Sequence, residues 1–236
     1  MPGKNSLVSV RARLGRLPSI VARIPRFPVL PTCDNFPMTS IAQPKRSLGL
    51  GLFFVVAGLI GFAAAFALTL DKFEILKNPK AALNCNFSLL VQCGANLNSP
   101  QGAVFGFPNP LLGIAGFTAV TVVGAAILSG SVFGRWFWIT LNAGILGALI
   151  FVIWLISQSI FVLGTLCPWC MVVWAVTIPL FLTVTLANIR SGVLPFPERF
   201  RGAVGGALSW TPFISLICFV VIAVIAQLRL DVLQYL

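Results

Sequence analysis

The sequence predicts an all-α integral membrane protein with five transmembrane helices. Three observations carry that prediction. The 236-residue chain is 58% hydrophobic and only 9% charged, with a mean hydropathy of +0.99, where soluble domains carry about 25% charge. Five apolar runs each come close to the ~20 residues that a bilayer requires. Lys and Arg gather between those runs rather than along them. The net charge of +11 therefore flanks membrane spans and does not form a nucleic-acid surface. The chain has no His, which removes Ser-His and Cys-His catalysis, His-ligated zinc and His-ligated haem. Its five acidic residues are scattered, so paired-carboxylate chemistry is not indicated. Six cysteines are the main reactive inventory.

Residues 1–47 form a basic tail, and residues 1–37 are punctuated by proline. Arg11, Arg13, Arg16, Arg23 and Arg26 alternate with Pro18, Pro25, Pro28, Pro31 and Pro37. Such a stretch cannot build a core and reads as a disordered tail. Its Arg-rich, acid-poor character also fits a transit peptide. A third reading is that translation starts at Met38, just ahead of Lys45-Arg46 and the first apolar run. The transmembrane domain is predicted over 48–236, with helices at 48–70, 104–129, 135–160, 167–189 and 210–229. Ala63-Ala64-Ala65 offers a signal-peptidase site in the first run. That run is long for a signal sequence, however, and further spans follow it, so it reads as a helix.

Lys and Arg orient the bundle by the positive-inside rule. Eight precede the first helix, Arg135 lies between the second and third, and Arg190, Arg199 and Arg201 lie between the fourth and fifth. All twelve share one side, against Lys72, Lys77, Lys80 and Arg229 on the other. Without residues 1–37 the bias is six to four, with the same sign. The amino terminus is thus expected in the cytoplasm. The carboxyl terminus with Tyr235, the loop 71–103 and the turn before Cys167 are expected outside. That loop is not simply polar: Leu83, Phe87, Leu89, Leu90 and Val91 form an apolar patch. The patch suits a lid lying on the membrane surface.

This topology puts Cys85, Cys93, Cys167 and Cys170 on the outer, oxidising side, where disulfides persist. Cys33 in the tail and Cys218 within the fifth helix read as small hydrophobes. Cys167-Pro168-Trp169-Cys170 opens the fourth helix. Pro is tolerated in a first helical turn, and the partial positive charge of a helix start favours a thiolate there. A thiolate is the attacking species in disulfide exchange. A zinc half-site and a plain structural disulfide are the other uses of a C-x-x-C pair; zinc would need further ligands. Cys85 and Cys93 alone would read as a structural staple. Beside an exposed C-x-x-C on the same face they also fit a relay, taking electrons from a soluble protein and passing them to a pair at the membrane edge.

With these features in order, the sequence resembles the vitamin K epoxide reductase (VKOR) family, in particular its bacterial disulfide-forming members. The resemblance covers roughly residues 48–190. It rests on Cys85 and Cys93 after helix one, on Phe105-Gly106-Phe107-Pro108-Asn109-Pro110-Leu111-Leu112-Gly113 at the start of helix two, and on the C-x-x-C at the start of helix four. It implies a four-helix bundle around a quinone, with the fifth helix peripheral. It implies that Cys170 meets the quinone, that Cys167 exchanges with Cys93, and that Cys85 with Cys93 meets the soluble thiol partner. Asn109 matches the family asparagine that hydrogen-bonds a quinone carbonyl, although an Asn there also suits a helix N-cap. Trp174, one turn after Cys170, stands where vertebrate members carry Tyr. Leu112 and Leu155 are further candidates for the quinone pocket, or packing and lipid-facing leucines.

The reading is a thiol oxidoreductase of the cell membrane that passes electrons from a separate, DsbA-like thioredoxin-fold protein to menaquinone or ubiquinone, with no metal or flavin. Some bacterial members continue into a thioredoxin-like domain; this chain stops at Leu236, so the partner is expected to be separate. Nothing in the sequence indicates an epoxide cycle. One alternative is a DsbB-type oxidase, in which the two cysteine pairs come in the opposite order. Another is a membrane scaffold or transporter with a structural disulfide. A transporter would show ionisable residues at mid-membrane, where this chain offers only Asn142, Gln158 and hydroxyls.

Overall fold

In a computed structural model of the chain, residues 48–79, 83–195, 197, 204 and 206–231 are described. The basic tail with Cys33, and Lys80, Arg199, Arg201 and Tyr235 on the connecting and terminal segments, lie outside the described residues. The fold is all-α. Its helices are α1 (Leu48–Lys77), the short α2 (Gly94–Asn98), α3 (Pro110–Leu128), α4 (Arg135–Ser157), α5 (Pro168–Arg190) and α6 (Thr211–Leu230). Among the described residues five helices are long and apolar enough to cross a membrane: α1, α3, α4 with the turn after it, α5 and α6.

Each helix end has a local cause. α1 does not stop with its apolar run at residue 70 but continues to Lys77. Asp71-Lys72-Phe73-Glu74-Ile75-Leu76-Lys77 contains neither Gly nor Pro, and Glu74 and Lys77 pair at 3.6 Å one turn apart. Pro79 then keeps the preceding backbone from continuing helically. The loop expected over 71–103 is accordingly shifted and begins after Lys77. α3 starts at Pro110 rather than at 104, because Pro108 interrupts the segment and Gly106 has φ +82°. Pro110 and Pro168 both sit at first helical positions, where a missing N–H costs nothing. α4 ends in a π turn, Gln158–Leu163, which Gly164 closes at φ +64°.

α1 is the central post. It packs against both α3 and α5, and α5 packs in turn against α4 and α6. The α1–α3 contact is close because small residues meet there. A Cβ on Gly124 would lie 2.7 Å from the Val55 backbone nitrogen, and one on Gly58 would lie 2.8 Å from the Thr121 nitrogen. In lipid, where apolar burial does not drive helices together, such close backbone approach supplies the packing energy. α3 and α4 line a common cavity from two sides. α6 contributes nothing to that cavity and sits outside the four-helix arrangement, on α5 and the π turn.

Two buried amides tie α4 to α5. Asn142 donates to the Thr185 hydroxyl at 2.8 Å, and Asn188 donates to the Trp138 carbonyl at 3.2 Å. Asn142 is thus a satisfied cross-helix bond and not a solute-binding group.

Gly124→Ala is expected to push α1 from α3 and destabilise the fold by about 1–3 kcal/mol, the usual range for overpacking. Thermal unfolding in detergent checks this; an unchanged midpoint would mean that the two helices are not in backbone contact.

Candidate functional site

The segment between α1 and α3 folds into a lid. Its first turn is organised by Asn86, whose side-chain oxygen accepts from the backbone N–H groups of Cys93 (3.0 Å) and Gly94 (3.3 Å). Phe87 N–H donates to the Val91 carbonyl at 2.9 Å, and Val91 N–H donates to the Ser88 hydroxyl at 3.1 Å. These bonds fold residues 85–93 back on themselves, and Cys85 and Cys93 are joined in a disulfide. Leu83 is buried with Leu68 and Ile75 of α1, Leu97 of α2 and the cysteines. Phe87 and Leu89 stand out, 72% and 78% exposed. The apolar patch expected over 83–91 is therefore divided between an inward anchor and an outward pair.

The lid is pinned from three sides. Val91 and Leu166 form a parallel bridge, with Gln92 N–H to Leu166 carbonyl at 2.9 Å and Leu166 N–H to Leu90 carbonyl at 2.7 Å. Lys72 reaches from α1 to the Leu97 carbonyl at the end of α2, at 2.7 Å. Asn96 donates to the Thr165 hydroxyl (3.0 Å) and accepts from the Ser159 hydroxyl (2.9 Å). The bridge falls on Leu166, the residue just before Cys167, so it sets the height of one cysteine pair against the other.

Cys93 and Cys167 consequently meet. Their sulfurs lie 3.3 Å apart, and both residues are fully buried. Cys167 is the N-cap of α5, and its sulfur accepts from the Cys170 backbone N–H at 3.5 Å. Cys167 and Cys170 are free thiols. The Cys167 thiol is held below the ordinary range, first by the hydrogen bond from the Cys170 thiol and then by the backbone N–H groups of Cys170 and Trp169. Burial and the nearby negative charge of Asp71 oppose that shift without reversing it. Cys167 is thus a thiolate-prone sulfur 3.3 Å from a sulfur of an existing disulfide, the proximity that exchange requires.

Cys170 also lines a cavity of about 610 Å³ with mostly apolar walls from α1, α3, α4 and α5, closed off by residues of the lid and the π turn. Asn109, Leu112, Leu155 and Trp174 all line it. Trp174 is buried, whereas Leu112 is 38% exposed. Asn109 sits at the N-cap position of α3, yet its side chain makes no cap bond. It donates instead to the Gln101 carbonyl at 2.6 Å and accepts from Val104 N–H at 3.1 Å. The amide thereby holds the 3-10 turn Pro100–Ala103 against the cavity mouth, and keeps a second N–H for a ligand.

Several groups at the site escaped the sequence reading. Gln101 and Gln158 pair at 3.3 Å at the cavity rim, and the Gln101 side-chain oxygen is buried without a partner. Asp71 places a carboxylate oxygen 3.2 Å from the Cys85 sulfur. A charged residue just past an apolar run was the available signal for Asp71; Gln158 stood out only as a polar residue within a span, and for Gln101 there was no signal. Cys218 lies on α6, half-buried and outside the cavity lining.

A model of the vitamin K epoxide reductase family matches residues 52–185, more than half of the chain. The chain belongs to that family. The matched stretch runs from α1 through α5 and includes the lid and all four site cysteines, whereas α6 lies beyond it. A comparison with curated proteins returned no match. As a VKOR-family protein this is a multi-pass membrane oxidoreductase acting on thiols and disulfides. The family match favours this over the DsbB-type and scaffold alternatives.

Replacing Cys170 by Ala removes the largest influence that lowers the Cys167 thiol. The thiolate absorbance of reduced Cys167 is therefore expected to titrate at higher pH in Cys170→Ala. An unchanged or lower midpoint would show that the backbone N–H groups alone set it.

Proposed function

We propose that this VKOR-family protein carries electrons outside-in, from a reduced thioredoxin-fold protein to a membrane quinone, and thereby sustains disulfide formation. The observation that carries the reading is the 3.3 Å approach of Cys93 to Cys167, with Cys170 on the wall of an apolar cavity. The partner dithiol first reduces Cys85–Cys93 and leaves as a disulfide. With Cys167–Cys170 oxidised, the Cys93 thiolate attacks Cys167, forming Cys93–Cys167 and releasing Cys170 as thiolate. Cys85 then attacks Cys93, re-forming the lid disulfide and freeing Cys167. Two electrons now reside on Cys167 and Cys170. A quinone accepts them with two protons, leaves as quinol, and restores the Cys167–Cys170 disulfide.

The cavity suits a quinone by size and chemistry. About 610 Å³ falls within the range of small-molecule sites, which combine apolar walls with a few polar contacts. Asn109, Trp174 and the glutamine pair are the candidate donors to quinone oxygens, and Leu112 and Leu155 would flank the ring. Gly116 of α3 and Gly144 and Gly147 of α4 line the cavity with open space where a Cβ would stand. A prenyl tail therefore has room between those helices. The positive-inside bias supports a cytoplasmic amino terminus with the redox cysteines outside. Cys85 is only 3% exposed, so the partner gains access to it when residues 86–92 lift.

The test is anaerobic. Purified protein, a reduced thioredoxin-fold protein and menaquinone or ubiquinone are mixed, and quinol is measured. Quinol is expected from the wild type and none from Cys170→Ala. Cys93→Ala should lose partner oxidation yet keep slow turnover with small thiols. Absence of quinol with either quinone, or full partner oxidation by Cys93→Ala, would sink the relay.

A further inference from the structure

We propose that Asp71 is the proton carrier of the lid pair: its carboxylate takes the thiol proton of Cys85 as that sulfur attacks Cys93, and returns it when Cys85 next leaves. This deepens the relay reading and rests on it. The geometry is direct. The Asp71 carboxylate oxygen lies 3.2 Å from the Cys85 sulfur, while Cys85 and Cys93 are shut off from solvent. A buried thiol cannot hand its proton to bulk water, so it needs an acceptor within hydrogen-bond reach. Among the described residues, Asp71 is the carboxylate in that position.

The charged surroundings leave Asp71 available. Its neighbour Lys72 is drawn away to the Leu97 carbonyl, 2.7 Å, and to the Asn98 side chain, 3.5 Å. Glu74 and Lys77, further along α1, pair with each other in the open. From the lid, Cys85 and Cys93 face the carboxylate, and from the start of α5 Cys167 feels its charge. No described cation pairs with Asp71. Asp71 itself is only half-buried, unlike the two sulfurs beside it.

The step balances as follows. In the Cys93–Cys167 mixed disulfide, Cys85 is a thiol. Its proton passes to Asp71, the Cys85 sulfur bonds to Cys93, the Cys93–Cys167 bond breaks, and Cys167 departs as a thiolate at the start of α5. When a partner later reduces Cys85–Cys93 and Cys85 is the leaving sulfur, the Asp71 carboxyl gives the proton back. No electron resides on Asp71, and the electron pair moves between sulfurs only.

Asp71→Asn keeps the size of the side chain and removes the base. Attack by Cys85 must then wait for free thiolate, whose share falls tenfold for each pH unit below an ordinary thiol pKa of about 8.5. In the full chain given one equivalent of reduced thioredoxin-fold partner, the Cys93–Cys167 linked peptide is quantified by acid quench and mass spectrometry. Asp71→Asn is expected to prolong that species at least about tenfold at pH 6, with the difference closing toward pH 9, and Asp71→Glu to restore much of the wild-type rate. Equal lifetimes in wild type and Asp71→Asn at pH 6 would overturn the proposal. So would a slowing that does not vary with pH. Cys85→Ser supplies the control for the relay itself, since it should trap Cys93–Cys167 at every pH. If that trap fails, the relay reading fails, whatever Asp71 does. If the trap forms in Cys85→Ser but not when Asp71→Asn is added, Asp71 merely seats the lid, and the proton-carrier role is wrong.

Discussion

The chemistry of this fold hangs on a contact between two sulfurs, Cys93 and Cys167, which lie 74 residues apart in the chain and 3.3 Å apart in space. Disulfide exchange needs a thiolate in line with the sulfur it attacks, and small misplacements cost much of its rate. The lid answers that constraint with hydrogen bonds to its backbone. The Val91–Leu166 bridge registers the lid against the residue that precedes Cys167, Lys72 clamps the far end of α2, and Asn86 closes the loop that carries the disulfide. The π turn and Gly164 then bring the chain out of α4 at the angle that lets Leu166 meet Val91.

The helices serve the same contact from below. α1 holds α3 close through small residues and packs on α5, and its extension past the apolar run is the wall on which the lid rests. α5 begins at Cys167, so the partial positive charge of its first turn falls on the sulfur that must leave as thiolate. One turn of helix separates Cys167, in the dry contact with the lid, from Cys170, on the cavity wall. In the proposed relay, that single turn links a protein-to-protein exchange to a lipid-soluble acceptor without moving a domain.

Much of this was legible in the sequence, and for physical reasons. A bilayer demands long apolar runs, so the five spans were visible, with ends displaced by a few residues wherever hydropathy and helix geometry part company. α1 shows the point: charge marks the membrane surface, but a helix continues in water as long as no Gly or Pro stops it. The four cysteines were visible because few other residues in the chain can carry chemistry. The lid's interior was not. It is built from side-chain hydrogen bonds by Asn86, Asn96 and Lys72, which leave no periodic trace. Asp71 and Cys85 meet across 14 residues and a helix end, and Asn109 spends its amide on Gln101 and Val104 rather than on its own helix. Such pairings depend on the fold of a short irregular segment, which local sequence does not announce.

The central claim is that Cys93 and Cys167 are exchange partners in the working protein. The most direct measurement uses Cys85→Ser combined with Cys170→Ser, which leaves these two as the only cysteines at the site. Brief mild oxidation in the membrane, followed by peptide mapping, should find them joined to each other in nearly every molecule, before Cys218 or the tail Cys33 reacts. Recovery of both as free thiols, or in bonds to other cysteines, would contradict the account.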